Sequence, residues 1–303
     1  MSASDSALSI TDSVGAKVAT AMSRIDETRI PESLLRQVLL QIHRFSIDEL
    51  NTPGVLEREI GRVAERVNAK LEAVPDDLSQ PFEVDLQSTH LGLVDSTTAE
   101  LVHGAYHYLG SPRGNGIHLG LFSNTTLRRP HLMTLVTFSK FDLPHIVSGL
   151  PLGIRPEEVV LLSRLFSFSW CPRNAMSHTL GLTFSWVRKH RPEVRMLITY
   201  LDPNLGFRGT IYQATNWIFF GKENKRRYLY LDGNYVTDRA MIKQYGTADL
   251  QKLEALLGRR ITSSKQPLRP LELYAYLLDR RDRAKHTPEL PHVFTPPPAL
   301  VGG

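Results

Sequence analysis

From residue 31 onward, apolar positions recur at helical spacing. Leu34, Val38, Leu39, Ile42 and Phe45 share one face of a helix beginning at Pro31. Leu56, Ile60, Val63, Val67 and Leu71 share one face of a second, from about Pro53 to Val74. The other face of that helix mixes Glu57, Arg58, Glu59, Arg62, Glu65 and Arg66. Mixed charge is the composition of a solvated face, so a helical hairpin packed on the main domain or on a second copy is predicted ahead of a DNA-docking module. Residues 1 to about 30 are small and polar and read as loosely ordered, and Pro75 to Pro81 is a turn-rich linker.

After the linker the period changes. Ser96–Leu109 reads as a helix capped by Asp95 or Ser96, and Ile117–Phe122 and Leu132–Phe138 read as a β-hairpin. Val159–Phe168 is a third strand, and Met176, Leu180, Phe184 and Val187 mark a helix that stops near Pro192. Met196–Tyr200 is a buried strand that ends at Asp202-Pro203. A loop with two glycines leads from there into a short helix predicted from Thr210 to Gly221. Arg227–Leu231 is a strand and Asp232-Gly233-Asn234 a turn; Leu271–Leu278 reads as a helix and the proline-rich end as a disordered tail. Three units follow: an N-terminal helical extension (1–80), a main domain (81–258), and a basic C-terminal helix with its tail (259–303).

Composition narrows the classes. The chain has 303 residues, a 42% hydrophobic fraction, one cysteine and a formal net charge of +5. A single cysteine excludes an internal disulfide and any multi-cysteine metal site. No apolar run approaches membrane-spanning length and the first residues lack a signal-peptide pattern, so a soluble protein of the cytoplasm with no membrane partner is expected. A mild basic excess permits a nucleic-acid partner.

Three features resist a packing explanation. Arg164 sits inside the apolar strand V-V-L-L-S-R-L-F-S-F, where a guanidinium must be paired or ligand-bound. Asp202, at the end of the adjacent strand, is its natural partner, either in a structural pair or in one that holds a substrate group. Asn174 can cap the helix that follows, so Ser177 and the free N–H groups of its first turn would make an anion site beside Arg173. Tyr212 points from its short helix toward the elbow, where a phenol can donate a proton or simply pack.

The order helix, two antiparallel strands, strand, helix, strand, helix, strand matches the core of an N-acetyltransferase-like (GNAT-like) mixed α/β fold. The stretches L-S-R-L-F…P-R-N-A-M-S and Y-L-D-P-N-L-G-F-R-G-T-I-Y-Q-A-T-N-W-I-F-F-G further resemble the Mom family of phage DNA-modification proteins. The resemblance runs from about Tyr106 to Gly221. It implies an enzyme, transferase-like, that carbamoylmethylates adenine in DNA and so protects a phage genome from host restriction. It places Arg164, Ser177, Asp202 and Tyr212 at functional positions. It also implies acetyl-CoA or a related acyl donor, with Arg173, Asn174 and Ser177 toward its anionic part, and iron near His107, Tyr108 and Tyr212. Two features depart from the family. The first 80 or so residues have no counterpart, and Phe207-Arg208 follows the elbow's first glycine where the family often has histidine; that run also looks like one in DruA-like antiphage defence proteins. Lys222, Lys225, Arg226 and Arg227 would then lie at the elbow's rim and hold DNA phosphates. The residues leave open an N-acyltransferase acting on another amine, a non-catalytic DNA-binding or defence protein, and a homo-oligomer built through the N-terminal helices.

Overall fold

The computed structural model describes residues 32–72, 74–75, 84–110, 115–123, 131–141, 144–147, 149–224, 227–285 and 291–294. The chain opens with helices α1 (Glu32–Ile42), α2 (Ile47–Asn51) and α3 (Val55–Leu71). Strand β1 (Thr89–Leu93), helix α4 (Ser96–Tyr106), strands β2 (Ile117–Ser123) and β3 (Leu132–Lys140) and the one-turn α5 (Pro144–Val147) follow. Next come β4 (Val159–Ser167), α6 (Ala175–His190), β5 (Met196–Leu201), α7 (Thr210–Ala214) and β6 (Ile218–Glu223). The remainder comprises β7 (Leu229–Leu231), β8 (Asn234–Val236), α8 (Asp238–Tyr245), α9 (Leu250–Leu257), β9 (Ile261–Ser263), β10 (Leu271–Leu277), α10 (Arg280–Lys285) and β11 (His292–Phe294). Residues 1–30, Lys225 and Arg226 lie outside the described residues.

Eight strands form one mixed sheet in the order β1-β2-β3-β4-β5-β10-β6-β11, and β8-β7-β9 form a small second sheet. The predicted hairpin is the antiparallel pair β2–β3. Asp95 caps α4, its carboxylate accepting from the Thr98 N–H at 2.8 Å. One face of the sheet is covered by α6, whose Leu180, Phe184 and Val187 pack on Leu119, Val136, Leu162 and Leu197. On the other, Leu161, Ile198 and Leu273 meet Phe141, Ile146 and Ile154. Among the described residues no helix is long and apolar enough to cross a membrane.

Three expectations are corrected. Leu271–Leu277 is a strand, β10, inserted between β5 and β6. L-E-L-Y-A-Y-L alternates at period two, and pairing on both sides outweighs its helix formers. The elbow helix stops at Ala214: Asn216 adopts a left-handed φ of 61° and Ile218-Phe219-Phe220 enter β6. β-branched and aromatic residues suit that pleated surface. Finally, His292–Phe294, placed in a disordered tail, pairs with β6 as β11.

The N-terminal helices pack on the rest of this chain. Their stripes of Leu34, Val38, Ile60, Val63 and Val67 close over Leu205, Tyr228 and Tyr230, and the Tyr230 hydroxyl donates to the Leu40 carbonyl at 2.9 Å.

One irregularity positions the site. β4 and β5 are parallel neighbours that pair only from Val159–Met196 to Leu162–Thr199. At Ser163 β4 bulges, so that Thr137 of β3 faces Arg164 while Phe138 faces Leu162. A bulge bends its strand and increases its twist. Beyond it β4 stays with β3 to Ser167 while β5 runs out to Leu201. The two strands part, and the gap opens beneath the elbow.

Candidate active site

A cavity of about 450 Å³ fills that gap. Leu162–Leu165 of β4 form one wall, Thr199–Leu201 of β5 with Asp202 just beyond it another, the elbow Gly206–Tyr212 a third, and His107, Tyr108 and Arg36 complete it. Of the predicted residues, Arg164, Asp202, Tyr212, His107 and Tyr108 therefore converge on one pocket.

Asp202 is 8% exposed and its carboxylate is fixed by several hydrogen bonds. Its Oδ1 accepts from the Asn204 N–H at 3.1 Å and from Asn204 Nδ2 at 2.8 Å, and its Oδ2 accepts from the Tyr228 hydroxyl at 2.7 Å. Asn204 is itself clamped to Arg269, donating to its carbonyl at 3.0 Å and accepting from its N–H at 2.8 Å. Across the cavity the Arg164 Nη1 donates to the Ser163 carbonyl at 2.6 Å, so the bulged residue helps aim the guanidinium. Burial, with the Asp202 carboxylate second, holds Tyr228 well above the ordinary phenol range and keeps its proton in place.

The Thr199 hydroxyl donates to the Leu162 carbonyl at 3.0 Å, across the last rung before the strands part. Its single proton is spent there, so the Tyr212 hydroxyl, 3.3 Å away, is the donor of that second bond. Burial raises the Tyr212 pKa and keeps it a protonated acid at neutral pH. Its ring stacks on Tyr274 at 5.2 Å and meets Trp217 edge-on at 5.4 Å.

His107 is buried, and that burial, followed by the charges of Arg164 and His103, holds its pKa well below 6.5. It is a neutral imidazole whose Nδ1 accepts the Leu109 N–H at 3.2 Å, which assigns its proton to Nε2. Its ring lies 4.4 Å from that of Tyr108. Tyr108, raised by burial and by Asp202, is likewise a neutral phenol.

The sequence reading missed Arg36 and Tyr228. Arg36 comes from α1; its guanidinium lies 4.6 Å over the Phe207 ring and donates to the Leu205 carbonyl. Gly206 makes room for it: at φ +74° a β-carbon there would lie 2.7 Å from Arg36 Nη1. Gly209, at φ +69°, would put one 2.6 Å from the Tyr274 hydroxyl. Helical spacing marked the apolar face of α1, but no local signal shows which polar position meets an elbow 170 residues away.

The remaining predicted residues lie elsewhere. Asn174 precedes α6 but its side chain makes no capping bond, which corrects that expectation; the Ser177 hydroxyl donates to the Asn174 carbonyl at 3.0 Å. Arg173, Asn174 and Ser177 do not line the cavity. Lys222 is exposed on β6, and Arg227 donates to the Ala248 carbonyl at 2.8 Å; neither lines it.

The residues expected to hold iron do not fit it. One imidazole and two phenols make an incomplete ligand set. Among the described residues no group of three His, Cys, Asp or Glu side chains could hold a metal ion.

An open mixed sheet whose parallel neighbours part at a bulge, with a helix connecting them across one face, defines a GNAT-like domain. Similar solved structures include a ribosomal-protein-S5-alanine acetyltransferase from Vibrio fischeri, at 9% identity and TM-score 0.37, covering 67% of this chain and 98% of that one. A spermidine/spermine N-acetyltransferase from Vibrio cholerae has 4% identity and TM-score 0.37, covering 66% and 99%. The chain belongs to the Mom protein family, which it matches over residues 88–296. No curated protein matches it.

Proposed function

We propose that this protein modifies adenine in DNA, joining a carbamoylmethyl group to the exocyclic amine inside the cavity between β4 and β5. The observation that carries the reading is the convergence of Arg164, Asp202, Tyr212 and the His107–Tyr108 pair on the gap between parting strands, in a chain of the Mom family. Beyond Leu162, β4 has no β5 residue paired with it, so its backbone is open to an extended, amide-bearing donor arm such as that of an acyl-CoA-type molecule. A base taken out of the stack has an aromatic wall in Tyr108 and Phe207, whose rings lie 5.4 Å apart.

In this reading Asp202 accepts a hydrogen bond from the amine and takes its proton as the new N–C bond forms. Tyr212, which burial keeps protonated, gives a proton to the leaving group as its bond to that carbon breaks. Arg164 stabilises the negative charge that develops on the leaving group. Host DNA from cells making the protein, digested to nucleosides and analysed by mass spectrometry, should contain carbamoylmethylated deoxyadenosine. An unmodified adenine pool beside folded protein overturns the reading.

A further inference from the structure

Helix α3 lies outside the stretch that matches the family, and one of its faces is cationic. Arg62, Arg66 and Lys70 follow at intervals of four, so they stand in line at about 6 Å per step. At one end of the line is a second hollow, about 610 Å³, lined by Arg44, Arg62, Arg259 and Arg260 with Asp232 and Gly233. At the other end the Lys70 ammonium sits over Gly110, where an added β-carbon would be 3.1 Å from it. The Gly110 N–H closes a turn onto the His107 carbonyl at 2.8 Å, and this turn carries the pocket residues His107 and Tyr108. The line thus joins the hollow to the pocket.

Its charges are not balanced from within. Glu59 accepts from Arg44 and twice from Arg62, and Asp232 is engaged by Arg260 at 2.6 and 2.9 Å. Arg66 reaches a neutral amide, Asn234 Oδ1 at 2.7 Å, which Arg62 shares at the same distance. Among the described residues the Lys70 ammonium has no hydrogen bond or ion pair. Burial and neighbouring cations lower the pKa of both Arg66 and Lys70. Half-buried like charges repel, and a fold retains such a line at a cost in stability that an external anion relieves. A row about 12 Å long, from Arg62 to Lys70, suits a chain of phosphates better than a single anion.

We propose that this face of α3 is a track for the phosphodiester backbone of nucleic acid, leading a strand from the arginine hollow along Arg62, Arg66 and Lys70 to the pocket mouth. Its place in catalysis rests on DNA being the acceptor, but the binding itself is separable. The test is fluorescence anisotropy of the full chain with a labelled single-stranded oligodeoxynucleotide across a salt series. Arg66→Gln/Lys70→Gln should bind at least tenfold more weakly, with the slope of log affinity against log salt shallower by about 1.4. Lys70→Gln alone, which breaks no internal bond, should remove about 0.7 of slope at an unchanged melting temperature. Wild-type affinity and slope in folded variants would overturn the track even if adenine is modified. Salt-dependent binding lost in the variants, beside an unmodified adenine pool, would leave the track standing and overturn the proposed activity instead.

Discussion

Asp202 and Glu59 are both buried carboxylates, 8% and 3% exposed, and each accepts at least three hydrogen bonds. Their settings differ. Asp202 accepts from a backbone N–H, a side-chain amide and a phenol, which fix the orientation of the carboxylate at the cavity wall. Glu59 is held by two guanidinia, which more than cancel it and leave a cationic face. The first arrangement suits a group that must meet a proton, and the second a surface that must meet a polyanion. The number of hydrogen bonds does not separate the two sites, but their place does: Asp202 lines the cavity, and Glu59 lies between the arginines of the cationic face.

The largest effect should come from breaking the cationic side. Glu59→Gln leaves Arg44 and Arg62 together without their carboxylate and should cost about 3 kcal/mol by urea denaturation, the low end for a buried pair because Arg62 is 37% exposed. An unchanged midpoint would mean that Asn234 and Gly233 suffice to hold the arginines. On the cavity side, Asp202→Asn keeps the shape and removes the charge. Modified deoxyadenosine should fall about 10²-fold, while DNA affinity changes little. Equal loss of both would erase the distinction between the sites.

A pH series sharpens the comparison next. Burial, helped by Arg164, brings His103 down from 6.5 to about 3, and its Nε2 is spent on the Thr137 hydroxyl at 2.8 Å. The unfolded chain takes up this proton below pH 6.5 and the folded chain does not, so the histidine's contribution is complete above pH 6.5 and is lost as pH falls toward 3. Between pH 6.5 and 5, stability should drop by about 1–2 kcal/mol from this residue, and His107 adds to the drop. Replacing His103 with Gln should flatten the slope in the same urea series. The smallest effect is expected at the elbow: Gly206→Ala forces a left-handed residue at about 1–2 kcal/mol and displaces Arg36, lowering the melting temperature by a few degrees.

Much of the pocket was legible because its residues are chemically out of place. A guanidinium inside V-V-L-L-S-R-L-F, an acid at a strand end before proline, and a tyrosine at a helix start each contradict their local pattern. The strands β2 to β5 were legible for the complementary reason, since their runs are β-rich and bounded by turn residues. β10 was not: L-E-L-Y-A-Y-L fits two templates, and its place between β5 and β6 is settled by partners 48 to 81 residues away. Tyr228 and Arg36 were silent for a similar reason, each being ordinary within its own element.

By itself the sequence determined the period of most elements, the elbow between Asp202 and Tyr212, and the chemistry able to act there, because these depend on neighbours a few residues apart. Only the tertiary structure decided that β4 and β5 part at Ser163, that Tyr228 holds Asp202, and that α1 brings Arg36 to the pocket. Those contacts join residues far apart in the chain, and such pairings are selected by burial and charge balance in the folded state, where local propensity has no say.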